Sequence, residues 1–341
     1  ILESVFAQVR KIIDADRFYA ALYDRVNVQL TFPVLAEKRN GSLEIVPRGP
    51  EQWNAHPYRP SEQVPDFLLT DGKPLLVEDN FEDWIRSRNL TYDFNSEIWP
   101  RSWLGVPLLA RGRAVGAIVL ERYARDHSFD ERDLQFLSAI ANRASGTLSN
   151  MRLMESLRIV QEVGLKLTSE IRLSVDGILN LIHEQLGRLM NVSDMYVALY
   201  DRGTQMLSFP FAMYNGKREY DWSARKVEGV QGLTEKVLLD PERKPLNPDD
   251  VAQWYKDSDI EPKDERIPKS WVGVPLVSGE QVLGVISLQN DEVERLYGDD
   301  DIEVLQLIAG QAAVALANTR LVERLSVVNE VGQALAAGID L

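Results

Sequence analysis

Tyr19-Ala20-Ala21-Leu22-Tyr23-Asp24-Arg25 returns 177 residues later as Tyr196-Val197-Ala198-Leu199-Tyr200-Asp201-Arg202, and this duplication decides how the chain is read. Each copy is a short apolar and aromatic run closed by polar residues, the pattern of a half-buried or buried strand. Outward from it, Leu30-Thr31-Phe32-Pro33 and Leu207-Ser208-Phe209-Pro210 keep the same offset. Further along, Pro100-Arg101-Ser102-Trp103-Leu104-Gly105-Val106-Pro107-Leu108 matches Pro268-Lys269-Ser270-Trp271-Val272-Gly273-Val274-Pro275-Leu276 at an offset of 168. The first copy therefore holds nine more residues between these blocks, an insertion that a loop tolerates. Two copies suit the length, since 341 residues exceed one ordinary core and divide into two domains of about 150.

Both copies order their elements alike. A short helix (2–13; 176–190) leads to a strand (18–23; 195–200), a turn, and a partner strand ending near Phe32 or Phe209. An irregular middle rich in Pro, Gly, Asp and aromatics follows, and then two more strands, 102–109 with 114–121 and 270–277 with 281–289. The intervening Ala110-Arg111-Gly112-Arg113 and Ser278-Gly279-Glu280 are short enough for hairpins. A helix closes each copy. Hairpin strands with helices grouped before and after them predict an α+β fold, not a doubly wound sheet.

At these residues the chain resembles the GAF domain family over nearly its whole length. The marks are Ala-Leu-Tyr-Asp, Ser-Trp followed by Gly-Val-Pro-Leu, Val115-Gly116-Ala117-Ile118 or Leu283-Gly284-Val285-Ile286, and Phe129-x3-Asp133 or Tyr297-x3-Asp301 opening a Leu-rich helix. Each is weak alone; all of them twice, in one order, are specific. The resemblance implies two GAF-like domains, each a central antiparallel sheet with helices on one face. In members that bind a ligand, loops and short helices on the other face enclose a small-molecule pocket. The expected layout is domain 1 over 1–150, a connecting helix over 130–173 shared by both domains, domain 2 over 174–320, and a second connecting helix starting at 321–341.

The connecting helix carries an a/d-type seam. Leu134, Leu137, Ala141, Ala144, Leu148 and Met151 are spaced three and four apart, and Leu153, Leu157, Val160, Gly164 and Leu167 continue on a shifted stripe, as at a coiled-coil stutter. Leu137, Ala141, Ala144, Leu148, Met151, Leu157, Val160 and Leu167 are the candidate contacts of a homodimer; the competing reading is that they cover their own sheets. Asp130, Glu131 and Asp133 suit the first turn, facing the positive end of the helix dipole. Leu157, Val160, Gly164 and Leu167 recur as Leu325, Val328, Gly332 and Leu335, so the second domain is left as the first was and the parent chain is expected to continue into a further module.

Composition narrows the functions. A net charge of −14 argues against a nucleic-acid surface. No apolar run approaches the ~20 residues of a membrane span, so no membrane segment is expected in the chain and a cytoplasmic location is. With no cysteine there is no disulfide, no thiolate metal site and no thioether-linked bilin, and the cysteine-dependent methionine sulfoxide reductase branch of the family is excluded. Phosphate loops, nucleophile elbows and His-Glu-x-x-His motifs are missing. His56, His127 and His183 read as surface or capping residues, and no metal or other cofactor is identified. Relatives that bind cyclic nucleotides carry Asn-Lys, then Phe-x3-Asp-Glu. Here Asn290 and Asp301 remain, but Asp291 replaces the Lys and Ile302 the Glu, while the first copy has Glu121-Arg122 and Leu134, which argues against such a ligand.

What remains is aromatic. Phe32, Trp53, Trp84, Trp103, Phe209, Trp222, Trp254 and Trp271 are the candidate pocket residues, because aromatic walls with a few polar groups hold planar or apolar ligands. For Trp103 and Trp271, core filling is the stronger reading; Trp84 and Trp254 fit either role. The expected function is a non-catalytic sensory region that binds a small molecule and relays the event through its connecting helices to a downstream effector domain of the parent chain. The alternative is a ligand-free dimerisation and spacer scaffold.

Overall fold

A computed structural model of the chain describes residues 1–46, 55–59, 63–92, 98–124, 126–169, 174–220, 222–262 and 266–339. Two compact units emerge, Ile1–Glu155 and Ser156–Leu341.

In the first unit α1 (Leu2–Val9) precedes β1 (Arg17–Asp24), β2 (Gln29–Arg39), β3 (Ser42–Ile45) and β4 (His56–Pro57). Helix α2 (Val64–Asp71), β5 (Leu75–Val77), α3 (Phe81–Ser87), β6 (Ser102–Ala110), β7 (Arg113–Arg122) and α4 (Glu131–Ser169) follow. The sheet order is β3-β2-β1-β7-β6-β5, with β4 on β2, and every pairing is antiparallel. One face buries Phe18, Ala20, Val34, Leu104, Val106 and Ile118 with apolar residues of α1 and α4. Tyr19, Ala21, Phe32, Trp103, Ala117 and Val119 alternate onto the other face, with Val64 and Leu68 of α2 and Phe81 and Ile85 of α3. Helices α1 and α4 thus lie on one side and α2 and α3 on the other.

The second unit repeats the plan. It comprises α5 (Val175–Leu186), β8 (Asp194–Asp201), β9 (Met206–Tyr214), β10 (Lys217–Glu219), β11 (Arg225–Lys226), α6 (Leu233–Leu238), α7 (Val251–Asp257), β12 (Ser270–Ser278), β13 (Gln281–Asn290) and α8 (Asp299–Ile339). Its sheet order is β10-β9-β8-β13-β12, with β11 on β9.

Two glycine positions explain the repeated motifs. Trp271 and Gly273 share a face of β12, and a Cβ on Gly273 would stand 2.2 Å from the Trp271 ring, so the indole lies where that methyl would go. Gly105 stands in the same relation to Trp103. On β13, a Cβ on Gly284 would meet the Ala198 carbonyl oxygen at 2.0 Å, beside the register shift between Val197 and Leu199. The Asn40-Gly41, Arg111-Gly112 and Asn215-Gly216 turns have positive φ at both residues, the two-residue hairpin that matches strand twist.

The long helices correct part of the dimer expectation. Leu137, Ala141 and Ala144 are buried in the first unit's core with Leu148 beside them, because that stripe of α4 covers the sheet. Val160 is buried with Ile159 and Val163 within the second unit, where Arg188 pairs with Glu162 of α4 at 3.0 Å, and Leu167 is half-buried. Met151 and Leu157 stay exposed, as do Leu153 and Met154. On α8 the exposed apolar residues include Leu307, Val314 and Leu321, seven apart, and Leu325. The stretch Asp299–Glu323 is, against expectation, long and apolar enough to cross a membrane, with a mean hydropathy of 1.3. A third of that apolar stretch is buried, with Leu305, Ile308, Ala309, Ala312, Ala313 and Leu316 fully so, while Leu307, Val314, Leu321 and Val322 are exposed.

Candidate functional site: an aromatic cavity in the second domain

Strands β8, β9 and β12 place Tyr196, Phe209 and Trp271 on the face turned away from α8, and the segments around α6 and α7 close over them. A cavity of about 360 Å³ results, within the range of small-molecule sites. Phe209, Trp222, Tyr255, Trp271 and Tyr196 form its aromatic wall. The rings of Tyr196, Phe209 and Trp222 lie 5.2 to 5.9 Å apart at mutual tilts of 40° to 65°, so they make a corner rather than a stack.

Polar groups behind this wall are arranged in series. Trp271 donates its Nε1–H to the Tyr196 hydroxyl at 3.2 Å, and that hydroxyl pairs with Thr234 Oγ1 at 2.7 Å. Burial pushes the Tyr196 hydroxyl above its ordinary pKa, and Tyr255, lodged at the start of α6, is pushed up to about 12 by the same cause. Both therefore act as neutral hydrogen-bonding groups near neutral pH. Glu235 is fully buried; its Oε1 accepts from Arg225 Nε at 2.8 Å, and the guanidinium also lies 4.7 Å from the Phe209 ring centroid. Glu219, Arg266 and Asp291 add charge of both signs to the lining. Arg225 pairs with Glu235 and Arg266 lies 4.0 Å from Asp291, so the site carries hydrogen-bonding capacity with Glu219 as its one carboxylate in excess.

Of the sequence candidates, Phe209, Trp222 and Trp271 line the cavity. Trp254 does not; its helical neighbour Tyr255 does, since one residue along α7 turns the side chain by about 100°. Trp53 lies outside the described residues. Tyr196, Arg225, Thr234, Glu235, Tyr255 and Gln289 were not singled out as site residues, although the repeat of Tyr19 at Tyr196 marked one of them.

The matching face of the first domain is packed with its own rings. Phe81 stacks on Trp103 at 5.5 Å and 14°, and on Trp84 at 6.3 Å and 7°. Tyr92 stands edge-on to Phe81 at 5.4 Å and stacks on Trp99 at 5.4 Å, while Phe32 packs edge-on to Tyr19. At the end of β7, Glu121 is fully buried and accepts hydrogen bonds from Tyr92 (2.7 Å), Tyr123 (2.6 Å) and Arg17 (3.3 Å). Burial raises the pKa of this carboxyl above its ordinary value, and Arg17 opposes that shift.

Two residues left from the nucleotide-type motif have structural work. Asn290 Oδ1 accepts from the backbone of Glu292 and Val293, and Asp301 caps α8 by accepting from Gly298 N at 2.8 Å. Among the described residues no group of three or more His, Asp and Glu is placed to hold a metal ion. His183 packs against Phe211, His56 beside Phe32, and His127 near Glu78 and Asp79.

The fold and the aromatic cavity define a tandem α+β module whose second copy holds an open pocket of small-molecule size. Models of the GAF domain match residues 1–148 and 172–317, and the chain belongs to the GAF domain family. Domains of this family are in general regulatory rather than catalytic. No curated protein matches the chain. Among solved structures, the GAF domain of the phosphoenolpyruvate-protein phosphotransferase from Acinetobacter is 22% identical, and the match covers 51% of this chain and 97% of that one with a TM-score of 0.41. A methyl-accepting chemotaxis protein fragment is 23% identical over 47% and 98%, with a TM-score of 0.40. The free methionine-R-sulfoxide reductase from Neisseria meningitidis is 14% identical over 49% and 91%, with a TM-score of 0.39. At these identities the likeness concerns fold alone.

Proposed function

We propose that the chain is the sensory region of a cytoplasmic signalling protein, in which the second domain binds a small molecule and the first is a packed scaffold. The observation that carries this reading is the contrast between the 360 Å³ cavity against Trp271 and the ring-filled space against Trp103. Helix α8 is the exit route, because its buried stripe covers the sheet that builds the cavity and its exposed stripe is free to pair. Leu307, Val314 and Leu321 recur at heptad spacing on that outer face, which suits a homodimer through helices. A ligand acts on a downstream effector only if it binds one helix arrangement better than another.

The test is a thermal-shift screen of metabolites against the whole chain. A ligand at a hundred times its Kd stabilises its domain by ~2.7 kcal/mol, which moves Tm by several degrees. If no compound raises Tm, the spacer-scaffold reading replaces the sensor.

A further inference from the structure

Because the domains share one plan, each difference between their Trp faces isolates what one has and the other lacks. Glu121 is the cross-strand partner of Trp103, and the Tyr92 hydroxyl donates to it at 2.7 Å. In the second domain the cross-strand partner of Trp271 is Gln289, which lines the cavity. Val251, buried, begins α7 where Phe81 begins α3, so the position whose ring stacks on Trp103 in the first domain carries an aliphatic side chain in the second. The chain ahead of β12 brings Pro262 and Pro268 to the cavity, where the chain ahead of β6 brings Tyr92 and Trp99 to the ring cluster. The phenyl of Phe81 and the phenol of Tyr92 thus have Val251 and the Pro262 segment in their places, while Tyr255 adds a phenol to the lining where the first copy has Ile85.

On the reading that this cavity is a ligand site, we propose that it takes a neutral phenol-class molecule. This is a small planar aromatic ring bearing a hydroxyl, with the ring against Trp271 and the hydroxyl on the Gln289 carboxamide. The ligand stands where the first domain places its own Tyr92. Three features fit that chemistry. The Trp271 N–H is already engaged by Tyr196, so the indole meets a ligand as an apolar ring and not as a hydrogen-bond donor. Arg225 pairs with Glu235 and Arg266 lies 4.0 Å from Asp291, so each cation of the lining already faces a carboxylate and no ligand anion is called for. The change from Glu121 to Gln289 follows from the neighbouring strand: Arg17, which neutralises Glu121, is replaced in register by Asp194. A carboxylate at 289 would face a like charge, whereas a carboxamide accepts a phenolic O–H without one.

The experiment titrates the whole chain with p-cresol, which is the Tyr side chain cut at Cβ, and with toluene, the same ring without the hydroxyl, read by calorimetry and Trp fluorescence. Saturable binding is expected for both, with p-cresol roughly tenfold tighter, the value of one neutral hydrogen bond. Gln289→Leu is expected to erase that preference and leave toluene binding in place. Val251→Phe, which imports the first domain's ring, is expected to abolish both, with an unchanged circular dichroism spectrum as the folding control. Equal affinity for the two probes, a preference that survives Gln289→Leu, or no binding of p-cresol overturns the phenol assignment. The cavity reading stands or falls separately: a non-phenolic compound whose binding is lost in Val251→Phe keeps it, and p-cresol binding untouched by Val251→Phe overturns both.

Discussion

Gly273→Ala is expected to destabilise the second domain through one side chain, and the structure says which. The added Cβ meets three atoms of the Trp271 ring at 2.2, 2.8 and 2.9 Å, the nearest heavy atoms around it. Trp271 is 2% exposed, so its ring can yield only toward the cavity it lines and at the loss of its packing on the sheet face. Overpacking of this kind costs ~1–3 kcal/mol. Swinging the ring away also breaks the Trp271–Tyr196 hydrogen bond, a further loss of ~1 kcal/mol. The substitution should therefore cost ~3 kcal/mol. Trp271→Phe ends the side chain short of those atoms, so the methyl should be far cheaper in that background. The assay is a double-mutant cycle in urea over Gly273→Ala, Trp271→Phe, their combination and the parent, with near-ultraviolet circular dichroism following the second domain's transition. A coupling of ~2 kcal/mol is expected. If Gly273→Ala costs the same with Phe at 271 as with Trp, the steric account is wrong. The first domain supplies an internal comparison: a Cβ on Gly105 also meets Leu68 at 2.7 Å, so Trp103→Phe should relieve Gly105→Ala less completely.

Three further outcomes are expected. Arg225→Ala leaves the buried Glu235 carboxylate without its cation and should cost ~2–4 kcal/mol in urea denaturation, tempered by the partial exposure of Arg225; a cost under ~1 kcal/mol would show that the pair is not structural. Glu121, fully buried with its pKa raised by desolvation, keeps its proton in the folded state at pH values where the unfolded chain has released it. Stability of the first domain from this group is complete below the ordinary value of 4.5 and is lost as pH rises through the folded pKa, so Glu121→Gln should flatten that decline in pH-dependent denaturation. Asp14, lowered by its bond to Lys38, acts with the opposite sign and only below 3.8, outside that window. Val314→Glu with Leu321→Glu should convert a dimer to a monomer by light scattering while leaving circular dichroism unchanged, and a mass unaffected by the change would remove α8 from the interface.

Local pattern reached the sheet because each strand's signal sits inside the strand. The duplicated Ala-Leu-Tyr-Asp and Gly-Val-Pro-Leu blocks placed β1, β6, β8 and β12 within about a residue of their observed ends, and their common offsets gave the order of elements. The small strands β3 and β10 were missed although Asn40-Gly41 and Asn215-Gly216 announce their hairpins, a turn chemistry that depends on positive φ and not on hydrophobic period. Helix α4 shows the limit of periodicity: a three-four stripe is the same whether it meets a sheet or a second helix, and only the fold reveals that Leu137, Ala141 and Ala144 already have a partner. The site is harder still. Trp103 and Trp271 occupy the same place in both copies, so no reading of either Trp separates a filled face from an open one. The difference resides in Phe81 against Val251, Tyr92 against the Pro262 segment, and Glu121 against Gln289, residues that acquire meaning only once the two sheets place each pair at the same address. In a duplicated fold the copied residues therefore specify the scaffold, and the function is to be sought where the copies disagree.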